Sequence, residues 1–519
     1  MKLARSQNAV RNMRMGLISK IVNMLLPFLV RAVFIRTLGA EYLGVNGLFS
    51  SVLSVLSLAE LGFGSAIVFN MYKAIAEDDE DAINALLYFY RKVYRCVGAI
   101  ILGLGLLMIP ILPHLTKGSY PGDINPTVVY LVFLLNTVLS YFLFAYLGSL
   151  MSAFQRNDVS SRIGMVVNIG MNLIQIVLLV TVRNYYAYLA IMPLFTILSN
   201  IRTAVVAKRM FPQYRPFGRL DAAALGSIRE KVGGLAISKV CHVSRNAFDS
   251  IFVSIFLGLT EIAIYNNYYM IMSSITGFFG ILTSAMIAGA GNSVAMETQE
   301  KNHRDMMRIN FAYMWISGWC TICLLCLYQQ FMGIWAGKDL LLPMSSVVLF
   351  CLYFYTLKLG DVRSIYVDAA GIWWQLRFRA LAEAILNIAL NWILGKTFGI
   401  NGIIAATLIS LFLINYCYGS QLIYRHYFTQ FRVRQYFTFH AKVTAVTAAV
   451  CAVTYLACRF LPMTLPFFFV RGIICVLLPN ILYFVIYRRT SMYREAVPWM
   501  LERVGYGCDS AIYRIFVKQ

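Results

Sequence analysis

Apolar segments long enough to cross a membrane recur along the whole chain, and this feature constrains the fold more than any other. Each segment has about 20 residues, the length that an α-helix needs to span the hydrocarbon core of a bilayer. The segments are continuous rather than alternating, which favours helices over a β-barrel. Of the 519 residues, 60% are hydrophobic and only 13% are charged, about half the charged fraction of soluble domains. The sequence therefore predicts an all-α polytopic membrane protein.

The apolar segments predict about fourteen transmembrane spans. They lie near residues 15–36, 43–72, 96–115, 127–152, 162–182, 185–208, 232–257, 262–292, 309–335, 341–368, 374–396, 401–424, 438–461 and 465–487. With the N-terminus inside, 33 of the 45 Lys and Arg residues lie in loops on the inner side and six in loops on the outer side. This asymmetry follows the positive-inside rule, so both termini are predicted to be cytoplasmic. It also explains the net charge of +22 without a nucleic-acid partner.

The chain contains a weak internal repeat. The segments "LGAEYLGVN" (38–46) and "LGLTEIAIYN" (257–266) match with one inserted residue, beyond which an offset of 220 pairs Asn46 with Asn266. Because an even number of spans separates the copies, the repeat predicts two six-helix lobes in the same orientation around a central cavity. The predicted parts are an N-lobe (1–210), a cytoplasmic linker (211–230), a C-lobe (231–428), two appended helices (429–489) and a cytoplasmic tail (490–519).

The repeated helix carries a small, polar face in each copy. At about 100° per residue, Asn46, Ser57, Glu60 and Gly64 fall on one side of the first copy, and the offset superposes them on polar or small residues of the second. Small residues allow close helix packing, which is one explanation of this face. Glu60 is harder to explain by packing, since an ionisable group at membrane depth indicates a water-filled cavity or a partner.

Other spans also carry ionisable residues. Arg245 and Asp249 have the i,i+4 spacing of an ion pair, and Lys358 and Asp361 could form a similar packing pair. Glu383 belongs to an i,i+4 ladder of polar residues, for which interhelical hydrogen bonds are an alternative role. The intramembrane cations suggest an anionic cargo, because arginine binds phosphate well; they are Arg31, Lys239, Arg245, Lys358 and Arg363.

These patterns define two sets of candidate residues. Those predicted to bind substrate are Arg31, Arg245, Lys358, Arg363, Asn46 and Asn266. Those predicted to couple transport to an ion, H⁺ or Na⁺, are Glu60, Asp249, Asp361 and Glu383. A buried carboxyl group can carry a proton because burial favours its neutral form.

The sequence shows no motif for catalysis or for a metal. A nucleophile elbow, a P-loop and a zinc motif are missing, and the loops are too short to form a catalytic domain. The eleven cysteines show no paired or metal-binding spacing, so they are predicted to be small apolar packing residues. A non-enzymatic protein without a metal site or an organic cofactor is therefore expected.

Three short segments resemble a known family. "LGAEYLGVNGLF" with "AELGFGSAI" in the first third, and "FGINGIIAAT" (398–407) later, are similar to polysaccharide-export flippases of bacteria. These form the Wzx-type branch of the multidrug/oligosaccharidyl-lipid/polysaccharide (MOP) exporter superfamily. The resemblance implies a two-lobed flippase of the bacterial cytoplasmic membrane that moves undecaprenyl-pyrophosphate-linked oligosaccharide units to the outer leaflet. Its partners would be this substrate, membrane lipids, a polysaccharide polymerase and glycosyltransferases.

The resemblance also bears on individual residues and leaves alternatives. Lipid II flippases, which are similar proteins, use basic residues on the first helix of each lobe, and Arg31 and Arg245 match that description by position. The main alternative is a cation-coupled multidrug antiporter of the same fold, which would favour acids in the cavity. A membrane-bound polymerase or ligase and a lipid-binding scaffold without transport are the others.

Overall fold

A computed structural model describes residues 5–60, 63–118, 120–220, 222–462 and 464–503, together with Ser510 and Tyr513. Within this part of the chain, every regular element is a helix. Helices are expected here because a backbone in lipid must satisfy its hydrogen bonds within its own segment. The predicted all-α membrane architecture is therefore confirmed.

The chain divides into two compact units, Met1–Ala263 and Ile264–Gln519. The helices of the N-terminal unit are α1 (Arg5–Thr37), α2 (Ala40–Leu56), α3 (Phe63–Ala76), α4 (Glu80–Leu107), α5 (Pro126–Phe142), α6 (Gly148–Ala153), α7 (Asn157–Thr181), α8 (Tyr185–Met210) and α9 (Ala222–Leu257). Short 3₁₀ turns follow α2 at Ser57–Glu60, α4 at Ile109–Leu115 and α5 at Ala145–Leu147. Within this unit α1 packs along α7, and α9 packs against α2 and α3.

The C-terminal unit contains most of α10 and all later helices. They are α10 (Leu259–Met296), α11 (Gln299–Trp335), α12 (Met344–Leu359), α13 (Asp361–Ala370), α14 (Arg377–Ser410), a π-helix (Leu411–Tyr418), α15 (Gly419–His426), α16 (Val433–Arg459), α17 (Leu465–Tyr487) and α18 (Ser491–Arg503). The long helix α11 is central, since α12, α16, α17 and α18 all pack against it. The predicted division into lobes around a linker at 211–230 stays a prediction.

Nine helices of the described chain are long and apolar enough to cross a membrane. The number rises to eleven if two bent helix pairs each form one span, Glu80–Leu107 with Ile109–Leu115 and Pro126–Phe142 with Ala145–Ala153. The chain is therefore a multi-pass membrane protein, while the predicted number of fourteen spans stays a prediction.

The segment Arg377–His426 is a helical hairpin rather than one straight helix. Gly399 has φ 59° and ψ −135° and breaks the helical path. The Asn387 amide donates a hydrogen bond to the Thr407 hydroxyl at 2.9 Å, although 20 residues of straight helix would separate them by about 30 Å. The chain therefore turns back at Gly399, between the predicted spans 374–396 and 401–424.

Both repeated segments place a glycine with a positive φ angle directly before a helix. Gly39 and Gly258 both have left-handed φ angles, 98° and 106°, and each directly precedes its repeat helix, α2 or α10. Glycine is favoured at such a position because it has no Cβ to clash with the backbone. The two helices then differ, since α2 gives way to a 3₁₀ turn at Ser57–Glu60 whereas α10 continues to Met296.

Helix α17 shows how the helices separate a buried face from an exposed apolar one. Large exposed side chains repeat every fourth residue, at Phe469, Ile473, Leu477, Ile481 and Val485. The face that packs inward has the same spacing and consists of Arg471, Cys475, Pro479, Tyr483 and Tyr487. An exposed stripe of this length suits contact with lipid chains rather than with water.

Candidate functional site

The acid Glu60 lies in a cluster of tyrosines in the N-terminal unit. The Tyr94 hydroxyl donates to one carboxylate oxygen of Glu60 at 3.2 Å, and the Tyr141 hydroxyl donates to the other at 3.4 Å. Tyr90 donates in turn to the Tyr94 hydroxyl at 2.8 Å. These tyrosines lie on α4 and α5, so Glu60 is held where the 3₁₀ turn after α2 meets both helices.

Gly64 permits this tyrosine cluster to form. A Cβ atom at position 64 would lie 2.6 Å from the Tyr90 hydroxyl oxygen, which is closer than van der Waals contact allows. The sequence placed Gly64 on the same helix face as Glu60, and in the structure a Cβ at position 64 would lie 3.7 Å from the Glu60 carboxylate. We call Glu60, Tyr90, Tyr94 and Tyr141 the Glu60 cluster.

Arg31 and Asn46 meet a different aromatic group, on α8. The Tyr185 hydroxyl donates to the Asn46 side-chain oxygen at 2.7 Å. Arg31 is half-buried, and its charge interacts with Tyr188, one turn further along α8. The ring of Phe34, one turn after Arg31, packs edge-on against Tyr188. The structure thus brings two of the predicted substrate-binding residues to the first turn of α8.

The polar face predicted for α2 therefore has several neighbours. Asn46 is hydrogen-bonded to α8, whereas Glu60 is hydrogen-bonded to α4 and α5. Fourteen residues of helix separate the two positions by about 21 Å. Ser50 and Ser54 on the same face are exposed. The close-packing explanation fits the ends of this face better than its middle.

On α9 the structure buries both predicted charged residues. Asp249 is 0% exposed and Arg245 is 9% exposed, and Ser250 and Ser254 beside them are buried as well. Helix α9 packs against α2 and α3. The side chain of Lys239, which the sequence placed among the intramembrane cations, lies outside the described part of the structure.

The polar residues of α7 pair with α1 and α8. The Asn168 amide donates to the Asn23 side chain at 3.2 Å, and the Gln175 amide donates to the Tyr188 carbonyl at 3.4 Å. Hydrogen bonds between neighbouring helices thus account for these residues, as expected of polar groups in a membrane.

In the C-terminal unit Lys358 and Asp361 form a buried ion pair. The Lys358 ammonium lies 2.6 Å from a carboxylate oxygen of Asp361, and the two side chains are 3% and 30% exposed. The Tyr313 hydroxyl donates to the same oxygen at 2.5 Å. The ammonium also lies 5.0 Å from the centre of the Phe279 ring, a cation–π distance. The charge of Lys358 is therefore balanced within its own unit.

Arg363 binds the π-helix that follows α14. Its guanidinium donates to the Asn415 carbonyl at 2.8 Å, to the Ser420 hydroxyl at 3.1 Å and to the Asn415 side-chain oxygen at 3.2 Å. In a π-helix, hydrogen bonds join residues five apart instead of four. A carbonyl group in the widened turn can therefore lack its usual amide partner, and a buried arginine can donate to it instead. A Cβ at Gly419 would lie 2.6 Å from this guanidinium, so glycine makes room for it.

The predicted ladder on α14 is a continuous polar network. Glu383 lies 3.5 Å from the Arg379 guanidinium and accepts a hydrogen bond from the Asn415 amide at 3.0 Å. Asn387 donates to Thr407 across the hairpin, and Asn391 donates to Asn387 at 3.3 Å. Hydrogen bonds to another helical segment therefore explain Glu383 and Asn387, whereas Arg379 and Asn391 make the cited contacts within α14 itself.

Sequence reasoning missed one residue beside Asn266. Asn266 is half-buried, whereas Asn267 is fully buried. Neither the nitrogen nor the oxygen of the Asn267 amide has a hydrogen-bond partner among the described residues. Such a group is expensive to bury unless water or another conformation satisfies it. The signal in the sequence was the adjacent pair in "YNNYY", of which the repeat singled out only Asn266.

The structure thus assigns different surroundings to the candidate residues. Arg31 and Asn46 share the aromatic side chains of α8, Glu60 is bound by tyrosines, and Lys358, Asp361, Arg363 and Glu383 belong to ion pairs and hydrogen bonds of the C-terminal unit. Ionisable groups at membrane depth are costly and usually functional. Their roles in substrate binding and ion coupling stay predictions.

Comparison with known proteins places the chain by structure. No family model matches it, and no curated protein matches it by sequence. A lipid II flippase, MurJ, in an inward closed conformation matches with a TM-score of 0.68 and 14% identity over 92% of this chain and 99% of that one. An inward-facing multidrug resistance MATE family transporter of the MOP superfamily gives 0.61 and 14% over 80% and 98%. The Vibrio cholerae MATE transporter VcmN, in a mutant form, gives 0.55 and 16% over 83% and 99%.

These matches cover nearly the full length of each solved structure. At such low identity they establish the architecture of the chain rather than its substrate. The chain therefore has the fold shared by the MurJ lipid II flippase and the MATE transporters of the MOP superfamily.

Proposed function

We propose that this protein is a flippase for undecaprenyl-pyrophosphate-linked oligosaccharide repeat units, working by alternating access in the bacterial cytoplasmic membrane. It would serve the synthesis of a cell-envelope polysaccharide such as O-antigen, capsule or exopolysaccharide. The observation that carries this proposal is Arg31, a half-buried guanidinium inside an apolar span, in a chain with the fold of a lipid II flippase.

The charge on Arg31 suits the polar part of this substrate. A pyrophosphate cannot enter hydrocarbon without losing its hydration, and a guanidinium can replace that hydration with bidentate hydrogen bonds. Arg31 lies beside Tyr188, close to the Tyr185–Asn46 hydrogen bond. Hydroxyl and amide groups next to a guanidinium can contact sugars as well as phosphate.

The other predicted cations suit this role unequally. Lys358 and Arg363 are buried and held by partners in their own unit. We assign them to holding the C-terminal unit together and assign the phosphate contacts to Arg31, which is half-buried. Asn46 and Asn266 are both half-buried and occupy equivalent places in the repeat, so we assign them contacts with the sugars.

The test measures flipping by the full chain in reconstituted vesicles. A fluorescent lipid-linked oligosaccharide is placed in both leaflets, and the outer-leaflet fraction is followed with a membrane-impermeant quencher. We expect Arg31→Ala to abolish flipping. Arg36→Ala is the matched control, since Arg36 is an exposed cation in the last turn of the same helix, and it should flip like the wild type.

Full activity of Arg31→Ala would remove Arg31 from the site. A multidrug antiporter is the second candidate, favoured by the MATE fold and by the acid Glu60 among hydroxyl donors. Efflux of a lipophilic cation, without flipping of the lipid-linked sugar by the same vesicles, would replace the flippase proposal with that one.

A further inference from the structure

Three cysteines that are far apart in sequence meet in the C-terminal unit. Cys326 lies on α11, Cys458 near the end of α16 and Cys475 on α17. Their sulfur atoms all lie within 4.8 Å of one another. The residues are 5%, 2% and 0% exposed, so the three sulfurs form a compact group closed off from the surroundings. We call it the thiol cluster.

Hydrogen bonds from α11 fix the position of α17 along its axis at the thiol cluster. The Trp319 indole donates to the Cys475 carbonyl at 2.8 Å. The Cys323 thiol approaches the same carbonyl at 3.7 Å, one turn before Cys326. Both contacts hold the backbone at Cys475 against α11, and outer contacts can orient the donor atoms of a metal site.

A buried positive charge accompanies the thiol cluster. Arg471 lies one helical turn before Cys475 on the inward face of α17 and is itself buried. Its guanidinium donates to the Leu461 carbonyl, while its Nε has no hydrogen-bond partner among the described residues. Bound thiolate ligands carry negative charge, so a cation one turn away can offset the charge of a loaded site.

We propose that Cys326, Cys458 and Cys475 bind one soft monovalent metal ion of the Cu(I) class with three sulfur ligands. Soft thiolate donors select such ions. A metal–sulfur bond of about 2.3 Å in a trigonal arrangement separates the sulfurs by about 4.0 Å, so the group needs little contraction from the spacing observed. Zinc fits less well, since its structural sites use four ligands.

The charges of the loaded site balance. Binding of one monovalent ion by two thiolates and one thiol releases two protons to solvent and leaves one net negative charge. The Arg471 guanidinium supplies the matching positive charge. An ion held in this way would tie α16 and α17 to α11, the helix against which both pack.

The test is a copper titration of the full chain. Reduced, metal-free protein in detergent is mixed with Cu(I) under anaerobic conditions in the presence of a chromophoric chelator, whose absorbance reports the copper it loses. We expect one tightly bound Cu(I) per chain. Cys458→Ser should weaken binding at least tenfold, whereas Cys96→Ser, which changes an exposed cysteine of the N-terminal unit, should leave it unchanged.

A second measurement uses the wild-type protein alone, in case Cys458→Ser does not fold. X-ray absorption at the copper edge should show a shell of sulfur ligands only, numbering three. A shell of nitrogen or oxygen, equal copper uptake by folded Cys458→Ser, or tighter binding of Zn(II) than of Cu(I) would each overturn the proposal. So would a disulfide within the thiol cluster in the purified chain, detected by counting reactive thiols after unfolding.

Discussion

At the scale of single residues, the buried charge of Lys358 in the C-terminal unit is neutralised by a near neighbour. Lys358 is almost completely buried, and both Asp361 and the Phe279 ring lie close to its ammonium. A buried ammonium without a carboxylate is strongly destabilising, whereas the intact pair contributes little beyond an apolar pair of the same size. The pair therefore affects the free energy of unfolding mainly when one partner is removed and the other stays buried without its counter-charge.

This leads to a prediction for Asp361→Asn. The substitution keeps the shape of the side chain but leaves Lys358 without its counter-charge, so the free energy of unfolding should fall by about 3 kcal/mol. The measurement is thermal unfolding in detergent, followed by tryptophan fluorescence. Replacing both residues, as Lys358→Met with Asp361→Leu, should restore most of the lost stability.

The control for this substitution is an exposed ion pair. Lys73 and Glu77 are 3.9 Å apart with side chains 81% and 58% exposed, so Glu77→Gln should change stability by less than about 1 kcal/mol. An equal loss of stability in Asp361→Asn and Glu77→Gln would contradict the importance of the buried pair.

At the scale of elements, the hairpin of α14 and the π-helix organise the C-terminal unit. The turn at Gly399 allows Asn387 to reach Thr407, and it places the Asn415 amide against Glu383. Arg363 then satisfies the carbonyl of Asn415 in the π-helix. Without the turn at Gly399, the polar residues of this segment would face lipid instead of one another.

We accordingly expect Gly399→Ala to destabilise the protein. Its φ of 59° with ψ −135° is open to glycine but strained for a residue with a Cβ, at a cost of about 1–3 kcal/mol. Gly472→Ala on α17 is the control, because nothing lies within 4 Å of a Cβ placed there and its φ is not positive. Unfolding midpoints that shift equally in both variants would rule out backbone strain at Gly399.

At the scale of the whole molecule, the acids differ in what they can contribute to transport. Asp361 and Glu383 each lie beside a cation, Lys358 and Arg379 respectively, so each already takes part in an ion pair. Glu60 instead accepts hydrogen bonds from two tyrosine hydroxyls. A tyrosine hydroxyl can hydrogen-bond to a carboxyl group in either of its forms, as donor or as acceptor.

Glu60 is therefore our candidate for coupling the proposed transport to protons. In vesicles with an imposed pH gradient, the wild type should flip its substrate faster than without the gradient, and Glu60→Gln should remove this acceleration. Glu41→Gln, at an exposed acid in the first turn of α2, should keep it. Equal acceleration in Glu60→Gln and the wild type would exclude Glu60, and a gradient of Na⁺ tested in the same way would identify sodium coupling.

Much of the fold was predictable from local features of the sequence. The apolar segments predicted an all-helical membrane protein, because lipid leaves the backbone few alternatives. The spacing of Lys358 and Asp361 predicted their pairing, since residues three apart share a helix face. The match between 38–46 and 257–266 coincided with two left-handed glycines in front of equivalent helices.

The surroundings of the candidate residues were not predictable in the same way. The tyrosines that donate to Glu60 and the groups that bind Arg363 come from segments 34 to 81 residues away, and a single sequence does not report contacts between such distant segments. The internal repeat indicates Asn266 and not the adjacent Asn267. The full burial of the Asn267 amide is a property of the packed unit, so the sequence does not reveal it.

The formation of helices in a membrane, and the positions of most charged residues along those helices, follow from the sequence alone. Helix period and hydrophobicity are local properties, so they can be read without knowing which helices touch. Which helices are neighbours depends on tertiary packing. This packing brings Cys326, Cys458 and Cys475 together as one group of sulfurs, although the sequence predicts scattered packing residues. Contacts between distant segments depend on packing of the whole unit, which no local pattern in the sequence records.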